Sequence, residues 1–476
     1  MKYEIYELYP SARHAYIAIG LAVKTSRPHI VKNVYLKKVC EVSKITTPYS
    51  YSYIRNLPTT ANPCIFEQNL YQIVPMHFGI IRERKNPPDR RVVLSPQACQ
   101  KVVENHEQAQ ITVESSPVRV FTDEEYQKAG ITVAPAVTDC DILLGVKEVP
   151  VNDLIPNKKY FFFSHTIKKQ PYNRKLLQAV LKKNIELYDH EVITNDKGIR
   201  LVAFGRYAGI VGAYNGFRAY GLKTNLFKLP KAEDIADQQA LIAELKKLQL
   251  PRIKILLTGK GRVGNGAREI LVGMGLKETT VKEYLEESFE VPVFCQIDVL
   301  DYNLRKDGLV KDETDFFKNP AEYESNFMRF APATDLYMAG HFYDSGAPYL
   351  FTKEDAKQPQ FKIKVVADIS CDVDGPVAST IRSSTIANPI YGYDPQTESE
   401  VDYMLPEAIA VMAVDNLPAE LPRDSSEGFG QAFVDSVIPA FFNGDADGVL
   451  ERALMTKNGK LRPRFSYLQG YVDGKE

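Results

Sequence analysis

Three glycines at GxGxxG spacing are the clearest chemical signal in the sequence. Gly259, Gly261 and Gly264 follow the apolar, β-branched residues 252–257 and precede a helical pattern at 267–275. In a strand–turn–helix unit, the first glycine permits a tight turn and the second lets the backbone approach a pyrophosphate. The third allows close helix–strand packing, and the helix N-terminus attracts the phosphates. The motif predicts a dinucleotide-binding site, with NAD or NADP as the cofactor.

The choice between these cofactors depends on the residue beside the adenosine ribose. An acid at the end of the next strand, about 20 residues on, would bind a free 2′-hydroxyl. We predict that strand at residues 280–285, which makes Glu283 the candidate, with Glu286 close by. Lys260 and Arg262 could instead meet a 2′-phosphate. The sequence therefore leaves NAD and NADP open.

A lysine and a histidine follow two other apolar stretches. Lys147 comes after residues 142–146, and His165 comes after 160–164. Parallel sheets place ligands at the carboxyl ends of their strands. A lysine near its ordinary pKa of about 10.4 needs burial or a neighbouring cation to exchange protons near neutrality, whereas histidine titrates near 6.5. Taken alone, Lys147 beside Glu148 is typical of a solvated surface pair, and His165 of a hydrogen-bonded core histidine.

Alternating elements from Met76 onward would position these groups. The fold class we expect is α/β, with two Rossmann-like, doubly wound domains and a cleft between them. Small residues crowd into 203–221, which predicts a long helix packed closely on another and connecting the two domains. Strands are predicted at 77–82, 111–113, 131–134, 142–146, 160–164 and 252–257, and helices at 96–105, 174–183, 203–221 and 231–248.

Composition excludes several classes of protein. The 476 residues include 59 basic and 60 acidic ones, for a net charge of −1, so no global charge favours binding to nucleic acid or an anionic membrane. No apolar run approaches the roughly 20 residues of a membrane span. The cysteines form no CxxC, so we expect neither a metal site nor disulfides, and a cytoplasmic location. They are Cys40, Cys64, Cys99, Cys140, Cys295 and Cys371.

Residues 1–75 differ from the rest in composition. They contain nine of the 27 tyrosines, one glycine, no aspartate, and nine basic against four acidic residues. Three interpretations are open: an organelle leader, an N-terminal extension domain, or a start assigned too early with Met76 as the first residue. We place no chemistry in this segment under any of them.

Six sequence motifs, which occur along the chain in the order of one known family, carry a resemblance to that family. The sequence resembles the saccharopine dehydrogenase (L-lysine-forming) and lysine–2-oxoglutarate reductase group, which is related to alanine dehydrogenase and the nucleotide-binding part of transhydrogenase. The resemblance extends from Met76 to the C-terminal region. The motifs are IRERKNPPDRRVVLSP (81–96), GVKEVP (145–150), FFSHTIKKQ (162–170), LVAFGRYAG (201–209), ADISCDVDG (367–375) and DNLPAELPR (415–423).

The resemblance implies an oxidoreductase that couples L-lysine and 2-oxoglutarate to saccharopine, or runs the reverse. It implies acid–base catalysis by Lys147 and His165. Val263 replaces a cysteine of the fungal enzymes, so we expect no thiol control. The implied substrate-binding residues are Arg91, Asp89, Lys168 and Glu191. The implied cofactor-binding residues are Gly259, Gly261, Arg262, Val263, Gly264, Glu283, Asp372 and Asp415. Asp415 and Asn416 would begin a helix beside the cofactor. The alternative is that these two residues have only a structural role as the helix cap.

The order of the motifs predicts the domain division. Residues 76–213, completed by 405–476, would form the substrate domain, and 214–404 the NAD(P)-binding domain. The expected partners are small molecules, without nucleic acid or membrane. An alanine dehydrogenase-like enzyme and a non-catalytic NAD(P)-binding regulatory protein are the alternatives. The sequence fixes neither the amine donor, nor the direction, nor the oligomeric state.

Overall fold

A computed structural model of the chain describes residues 75–344 and 346–475, together with the backbone of two short strands before them. These strands, Ile5–Tyr6 (β1) and Ala18–Ile19 (β2), pair antiparallel. The chain divides into two compact units, Met1–Gln72 and Ile73–Glu476. The three interpretations of residues 1–75 lie outside the described residues. The following description concerns the second unit.

The first half of this unit is built on a parallel six-stranded sheet. Its order, β5-β4-β3-β6-β7-β8, reverses direction between the neighbouring strands β3 and β6. The first five of these strands along the chain agree with the predicted ones to within a few residues, whereas β8 was not predicted. They are Met76–Ile80 (β3), Ala109–Glu114 (β4), Thr132–Ala134 (β5), Ile142–Leu144 (β6), Lys159–Phe162 (β7) and Glu186–Asp189 (β8).

Helices bury both faces of this sheet. Pro96–Asn105 (α1) begins at Ser95, whose hydroxyl accepts a hydrogen bond from the Ala98 N–H. It shares one apolar core with Asp123–Lys128 (α2) and with helices from the C-terminal region. Arg174–Lys182 (α3) packs in the core on the opposite face. The predicted helices at 96–105 and 174–183 are thus confirmed.

The second half has an eight-stranded sheet in the order β10-β11-β9-β14-β15-β18-β16-β17. The first six strands in this order are parallel, and the last two are antiparallel additions at one edge. The α/β prediction of two doubly wound sheets is therefore confirmed. The strands are Lys254–Thr258 (β9), Lys277–Glu278 (β10), Val293–Ile297 (β11), Leu336–Ala339 (β14), Val365–Asp368 (β15), Ile390–Asp394 (β16), Ser399–Val401 (β17) and Ile409–Met412 (β18).

The prediction of a strand at 280–285 is wrong. These residues lie in a short helix, Val281–Glu286 (α7). Thr280 accepts a hydrogen bond from the Glu283 N–H, and the Glu283 carboxylate accepts one from the Thr280 N–H. This capping box satisfies free N–H groups of the first turn and outweighs the β-branched residues around it. The strand that follows α7 and pairs with β9 is β11.

A 20-residue helix, Gly205–Thr224 (α4), joins the two sheets as predicted. It crosses Arg262–Gly273 (α6), the helix after the glycine loop, at backbone contact. A Cβ placed on Gly209 would lie 1.9 Å from the Val263 carbonyl oxygen, and one on Gly266 would lie 2.0 Å from that of Arg206. The small residues are therefore needed for this crossing.

The chain returns to the first sheet later than expected. Residues from 405 were assigned to the first domain, but β18 pairs with β15 in the second sheet. The crossing follows Met412, and Pro422–Ser436 (α10) then packs in the first core. The helix predicted at 231–248 is only Gln238–Lys246 (α5). The remaining elements are Asn303–Arg305 (β12), Glu313–Lys318 (α8), Tyr323–Ser325 (β13), Lys353–Ala356 (α9), Ile438–Phe442 (α11), Val449–Ala453 (α12), Thr456–Lys457 (β19), Lys460–Leu461 (β20) and Gln469–Val472 (α13).

Candidate active site

The predicted acid–base and substrate residues follow neighbouring strands of the first sheet. Lys147 comes after β6, His165 after β7 and Glu191 after β8, while Arg91 lies in the long loop after β3. Carboxyl ends of parallel strands meet at one edge, and ligands bind where the strand order reverses. That reversal lies between β3 and β6, so the sheet brings these side chains to its ligand-binding edge.

Lys147 is held in a largely buried turn. Its backbone N–H donates to Glu83 Oε2 at 2.9 Å, and the Val146 N–H donates to Glu83 Oε1 at 2.6 Å. Burial lowers the pKa of the Lys147 ammonium, and the positive charges of Arg91 and Lys85 lower it further. Asp89 and Glu148 oppose this shift. The direction is the one that proton exchange near neutrality requires.

His165 lies between two glutamates. Its Nε2 is 3.8 Å from Glu148 Oε1, and its Nδ1 is 3.6 Å from Glu191 Oε2. Both oxygens are buried and have no hydrogen bond among the described residues. Both carboxylates therefore present an oxygen to the imidazole, one on each side of the ring. Glu148 also accepts a hydrogen bond from Lys85 at 2.7 Å.

Two cationic side chains lie close to Glu191 at the same edge of the sheet. Its Oε1 is 3.5 Å from Lys168 Nζ and 3.4 Å from Arg200 Nη2. Burial alone would raise the pKa of this carboxyl, but His165, Lys168 and Arg200 together lower it to about 2. Glu191 is thus ionised at neutral pH, with the cations of Lys168 and Arg200 beside it.

Arg91 is more constrained than the sequence suggests. Its Nε and Nη2 donate to the two Asp89 carboxylate oxygens at 3.0 and 2.7 Å, and Nη2 also donates to Asn416 Oδ1 at 3.0 Å. The guanidinium lies 4.2 Å from the Phe204 ring centroid. The family resemblance implies that Arg91 binds the substrate. Among the described residues only Nη1 has no hydrogen bond, because Asp89 occupies one edge of the fork.

Asp189 was not singled out from the sequence, although it joins two loops of the site. It is fully buried and accepts hydrogen bonds from the Ser164 N–H at 3.0 Å and the Glu191 N–H at 2.7 Å. Burial raises its pKa to about 6 despite these bonds. It holds the turn before His165 against Glu191. An aspartate at the end of a buried strand is the signal that could have identified it.

The glycine loop has the geometry expected of a dinucleotide cradle. Gly259 has a φ of +92°, and a Cβ there would lie 2.6 Å from the Gly340 carbonyl oxygen. A Cβ on Gly264 would lie 1.9 Å from the Gly259 carbonyl oxygen. A Cβ on Gly261 would meet no described atom within 4 Å. The outer glycines fold the loop, and the middle one faces open space at the start of α6.

The acid at the strand end is Asp298. It directly follows β11, the strand beside β9 in the sheet, where a ribose-binding acid belongs. Glu283, the predicted acid, caps α7 instead. The short strand β10 and helix α7 intervene between α6 and β11, which places Asp298 well beyond the usual spacing of about 20 residues. The charge of Asp298 raises the pKa of Glu313, so two acids adjoin this strand end.

The other predicted cofactor residues are dispersed. Arg262 opens α6, and its guanidinium donates to the Arg200 carbonyl oxygen; Val263 packs under α4. Asp372 follows β15. Burial and the charge of Asp368 raise the pKa of its carboxyl, and the charge of Lys168, in the turn after β7, opposes this shift. Asp415 is exposed after β18. Asn416 makes no capping bond to the 3₁₀-helix that follows, since its side chain accepts from Arg91 instead.

Known proteins are similar to this chain over most of its length. Residues 79–211 match the family model "Alanine dehydrogenase/PNT, N-terminal domain". The "alpha-aminoadipic semialdehyde synthase, mitochondrial" of Bos taurus is 29% identical over 84% of this chain and 48% of its own length. Two proteins named "saccharopine dehydrogenase [NAD(+), L-lysine-forming]" are 26% and 27% identical. The Neurospora crassa protein aligns over 69% of this chain and 82% of its own length, and the Schizosaccharomyces pombe protein over 77% and 93%.

The chain is thus similar to proteins named L-lysine-forming saccharopine dehydrogenase over most of its length. The resemblance based on the six motifs is thus confirmed. The chain spans about half the length of the α-aminoadipic semialdehyde synthases that it matches.

Solved structures agree with this chain in fold. An L-alanine dehydrogenase superposes with a TM-score of 0.55 at 17% identity, covering 83% of this chain and all of the other. A transhydrogenase from Sinorhizobium meliloti gives 0.52 at 15%, covering 81% and all of it. Within residues 75–344 and 346–475, no helix is long and apolar enough to cross a membrane, and no cluster of ligand side chains could hold a metal ion.

Proposed function

We propose that the protein catalyses the NAD(H)-dependent interconversion of saccharopine with L-lysine and 2-oxoglutarate. The observation that carries this proposal is the placement of Lys147 and His165 at the carboxyl ends of adjacent strands, beside the reversal of the strand order. The lowered pKa of Lys147 supports it. Homologues that carry the name of this activity align over 69% and 77% of the chain.

The chemistry requires repeated proton transfer. The lysine amine must lose a proton to attack the 2-oxo carbon, the hydroxyl of the resulting carbinolamine must gain one to leave as water, and the imine must be protonated before reduction. Lys147 and His165 would exchange these protons. The buried oxygens of Glu148 and Glu191 would flank the His165 imidazole during these steps.

Positive groups around the site suit the carboxylates of 2-oxoglutarate and saccharopine. Arg91 would offer Nη1, because its other nitrogens bond to Asp89 and Asn416. Lys168 and Arg200 add two further cations beside Glu191. Charge-assisted hydrogen bonds of this kind contribute about 1.5–3 kcal/mol each. These cations would distinguish dicarboxylic 2-oxo acids from pyruvate.

The second sheet fits a nicotinamide dinucleotide. Gly261 leaves the backbone open for a pyrophosphate at the start of α6. Asp298 would bind the ribose hydroxyls, and its negative charge, together with that of Glu313, favours NAD(H) over NADP(H). When bound, the cofactor would supply or accept the hydride. Asp372, near Lys168, would lie between cofactor and substrate.

Substrate-omission assays test this proposal. We would follow the oxidation of NADH and NADPH with 2-oxoglutarate plus L-lysine, with pyruvate plus ammonia, and with each partner omitted. We expect turnover only with NADH, L-lysine and 2-oxoglutarate together. Turnover of pyruvate plus ammonia alone would assign the alanine dehydrogenase activity, which the family match over residues 79–211 also favours. Dinucleotide binding without turnover would favour the regulatory protein.

A further inference from the structure

We propose that Glu83 and His190 are positioning residues that together fix the segment carrying Lys147. This inference rests on the proposed function, since it assumes that Lys147 acts as an acid–base group. Neither residue was singled out by its sequence pattern. Each bonds to the backbone of residues 145–147 rather than to a side chain of the site.

Glu83 holds the segment from the side of β3. Both of its carboxylate oxygens are used: Oε1 accepts from the Val146 N–H at 2.6 Å, and Oε2 from the Lys147 N–H at 2.9 Å. Burial raises the pKa of this carboxyl to about 7, although these two hydrogen bonds and Arg91 favour its charged form. A carboxylate is an acceptor at both oxygens, whereas a glutamine amide accepts at one and donates at the other. Glutamine therefore cannot replace both bonds.

His190 holds the same segment from the side of β8. Its Nε2 lies 2.9 Å from the Gly145 carbonyl oxygen, so Nε2 must donate. Burial lowers the pKa of His190 to about 4, so the ring is neutral and carries its proton on Nε2. Nδ1 is buried without a hydrogen bond among the described residues. Four phenylalanine rings surround the imidazole: Phe163, Phe429, Phe433 and Phe161 at 4.9, 5.1, 5.8 and 6.4 Å between centroids.

Glu83 and His190 follow different strands, β3 and β8, and bond to consecutive peptide groups of residues 145–147. Glu83 binds the N–H groups of residues 146 and 147, and His190 binds the carbonyl of residue 145. Packing also restricts the position of this segment, because Gly145 lies so close to Ile81 that a Cβ on Gly145 would be 2.7 Å from Ile81 Cδ1. The Lys147 Cα is thereby fixed relative to Arg91 and His165, and the ammonium stays in the buried position where its pKa is lowered. Misplacement of a reacting group by about 1 Å can cost about 10²-fold in rate.

The test compares Glu83→Gln and His190→Phe with matched controls. Glu420→Gln makes the same chemical change at another buried glutamate, which accepts a hydrogen bond from Asn215 and whose pKa is also raised to about 7. His190→Gln should restore an N–H donor near the Gly145 carbonyl. We expect kcat to fall by about 10²-fold in Glu83→Gln and His190→Phe. Glu420→Gln should match the parent, His190→Gln should lie between, and the Kd for NADH should stay the same in all four.

A second measurement needs no turnover. Reductive methylation of Lys147, followed by peptide mass spectrometry across pH, reports the pKa of that amine directly. Release of the segment should move the pKa of Lys147 towards its ordinary value of about 10.4 in Glu83→Gln and His190→Phe, but not in Glu420→Gln. Folding is checked by circular dichroism, and Glu83→Asp serves if Glu83→Gln does not fold. An unchanged methylation profile in both variants would overturn the inference. Absence of turnover in the parent would instead reject the proposed function alone.

Discussion

Two side chains carry the proposed proton transfers, and both can be removed without touching the second sheet. Lys147→Met and His165→Gln should each lower turnover of 2-oxoglutarate plus L-lysine by about 10²- to 10⁴-fold, the range typical of general acid–base groups. Their strands belong to the first sheet, so the Kd for NADH, measured by fluorescence titration, should remain unchanged. Retention of near-parental kcat in both variants would contradict the assigned roles.

Arg91 should act on substrate affinity. Arg91→Lys keeps a cation beside Asp89 but loses the planar group that bonds at once to Asp89 and Asn416 and stacks on Phe204. We expect the KM for the 2-oxo acid to rise by about 10- to 100-fold, from the loss of roughly 1.5–3 kcal/mol. The KM for NADH is the internal control. Equal increases in both constants would indicate that the variant disturbs the whole site.

Asp298 is the residue that should select the cofactor. Asp298→Ala removes the acid beside β9, so the Kd for NADH should rise by about 10-fold or more and the Kd for NADPH should fall. Glu283→Gln is the matched control, since it changes the acid predicted from the sequence, which caps α7. Glutamine is accepted in a capping box. A shift in cofactor preference in Glu283→Gln, but not in Asp298→Ala, would reverse this assignment.

At the scale of elements, Gly209 and Gly261 differ in the space that is available for a side chain. Gly209→Ala would place a Cβ 1.9 Å from the Val263 carbonyl oxygen and force α4 away from α6, at a cost of about 1–3 kcal/mol. Gly261→Ala meets no described atom within 4 Å and should change stability by less than about 1 kcal/mol. We expect urea denaturation to detect only the first variant. NADH titration should detect the second even though its stability is nearly unchanged.

Sequence patterns predicted the elements better than the contacts between them. The apolar strands after which Lys147 and His165 lie, and the glycine loop, were found because each combines a local pattern with a position at a strand end. Glu283 was misassigned because the T-x-x-E signature at 280–283 was not weighed against the β-branched residues. Asp298, Glu83 and His190 were missed, since their partners are distant in sequence and no spacing rule reaches them.

For the whole molecule, Glu420 makes stability depend on pH. It is 3% exposed, and burial raises its pKa from 4.5 to about 7, with Glu233 adding to the shift and Arg218 and Lys231 opposing it. The folded protein therefore holds a proton that the unfolded chain has lost, so the free energy of unfolding falls as pH rises from 4.5 through 7. A shift of this size corresponds to about 3 kcal/mol.

Glu420→Gln should remove this dependence. The amide oxygen can still accept from Asn215, which donates at 2.9 Å in the parent. Relative to the parent, the variant should gain about 3 kcal/mol of unfolding free energy between pH 4.5 and 8, measured by urea denaturation at each pH. A constant difference between the two proteins across this range would contradict the pKa assignment.

The backbone contact between α4 and α6 also determines how the two sheets can move. Helix α4 is in backbone contact with the helix that carries the glycine loop, so we expect the two helices to move together. The described chain passes between the two sheets twice, before Gly205 and between β18 and α10. A rotation of one sheet relative to the other would therefore take place about these two crossings. Arg91 bonds to Asn416 within the second of these crossings, so a rotation there would also move the proposed carboxylate-binding group relative to the glycine loop.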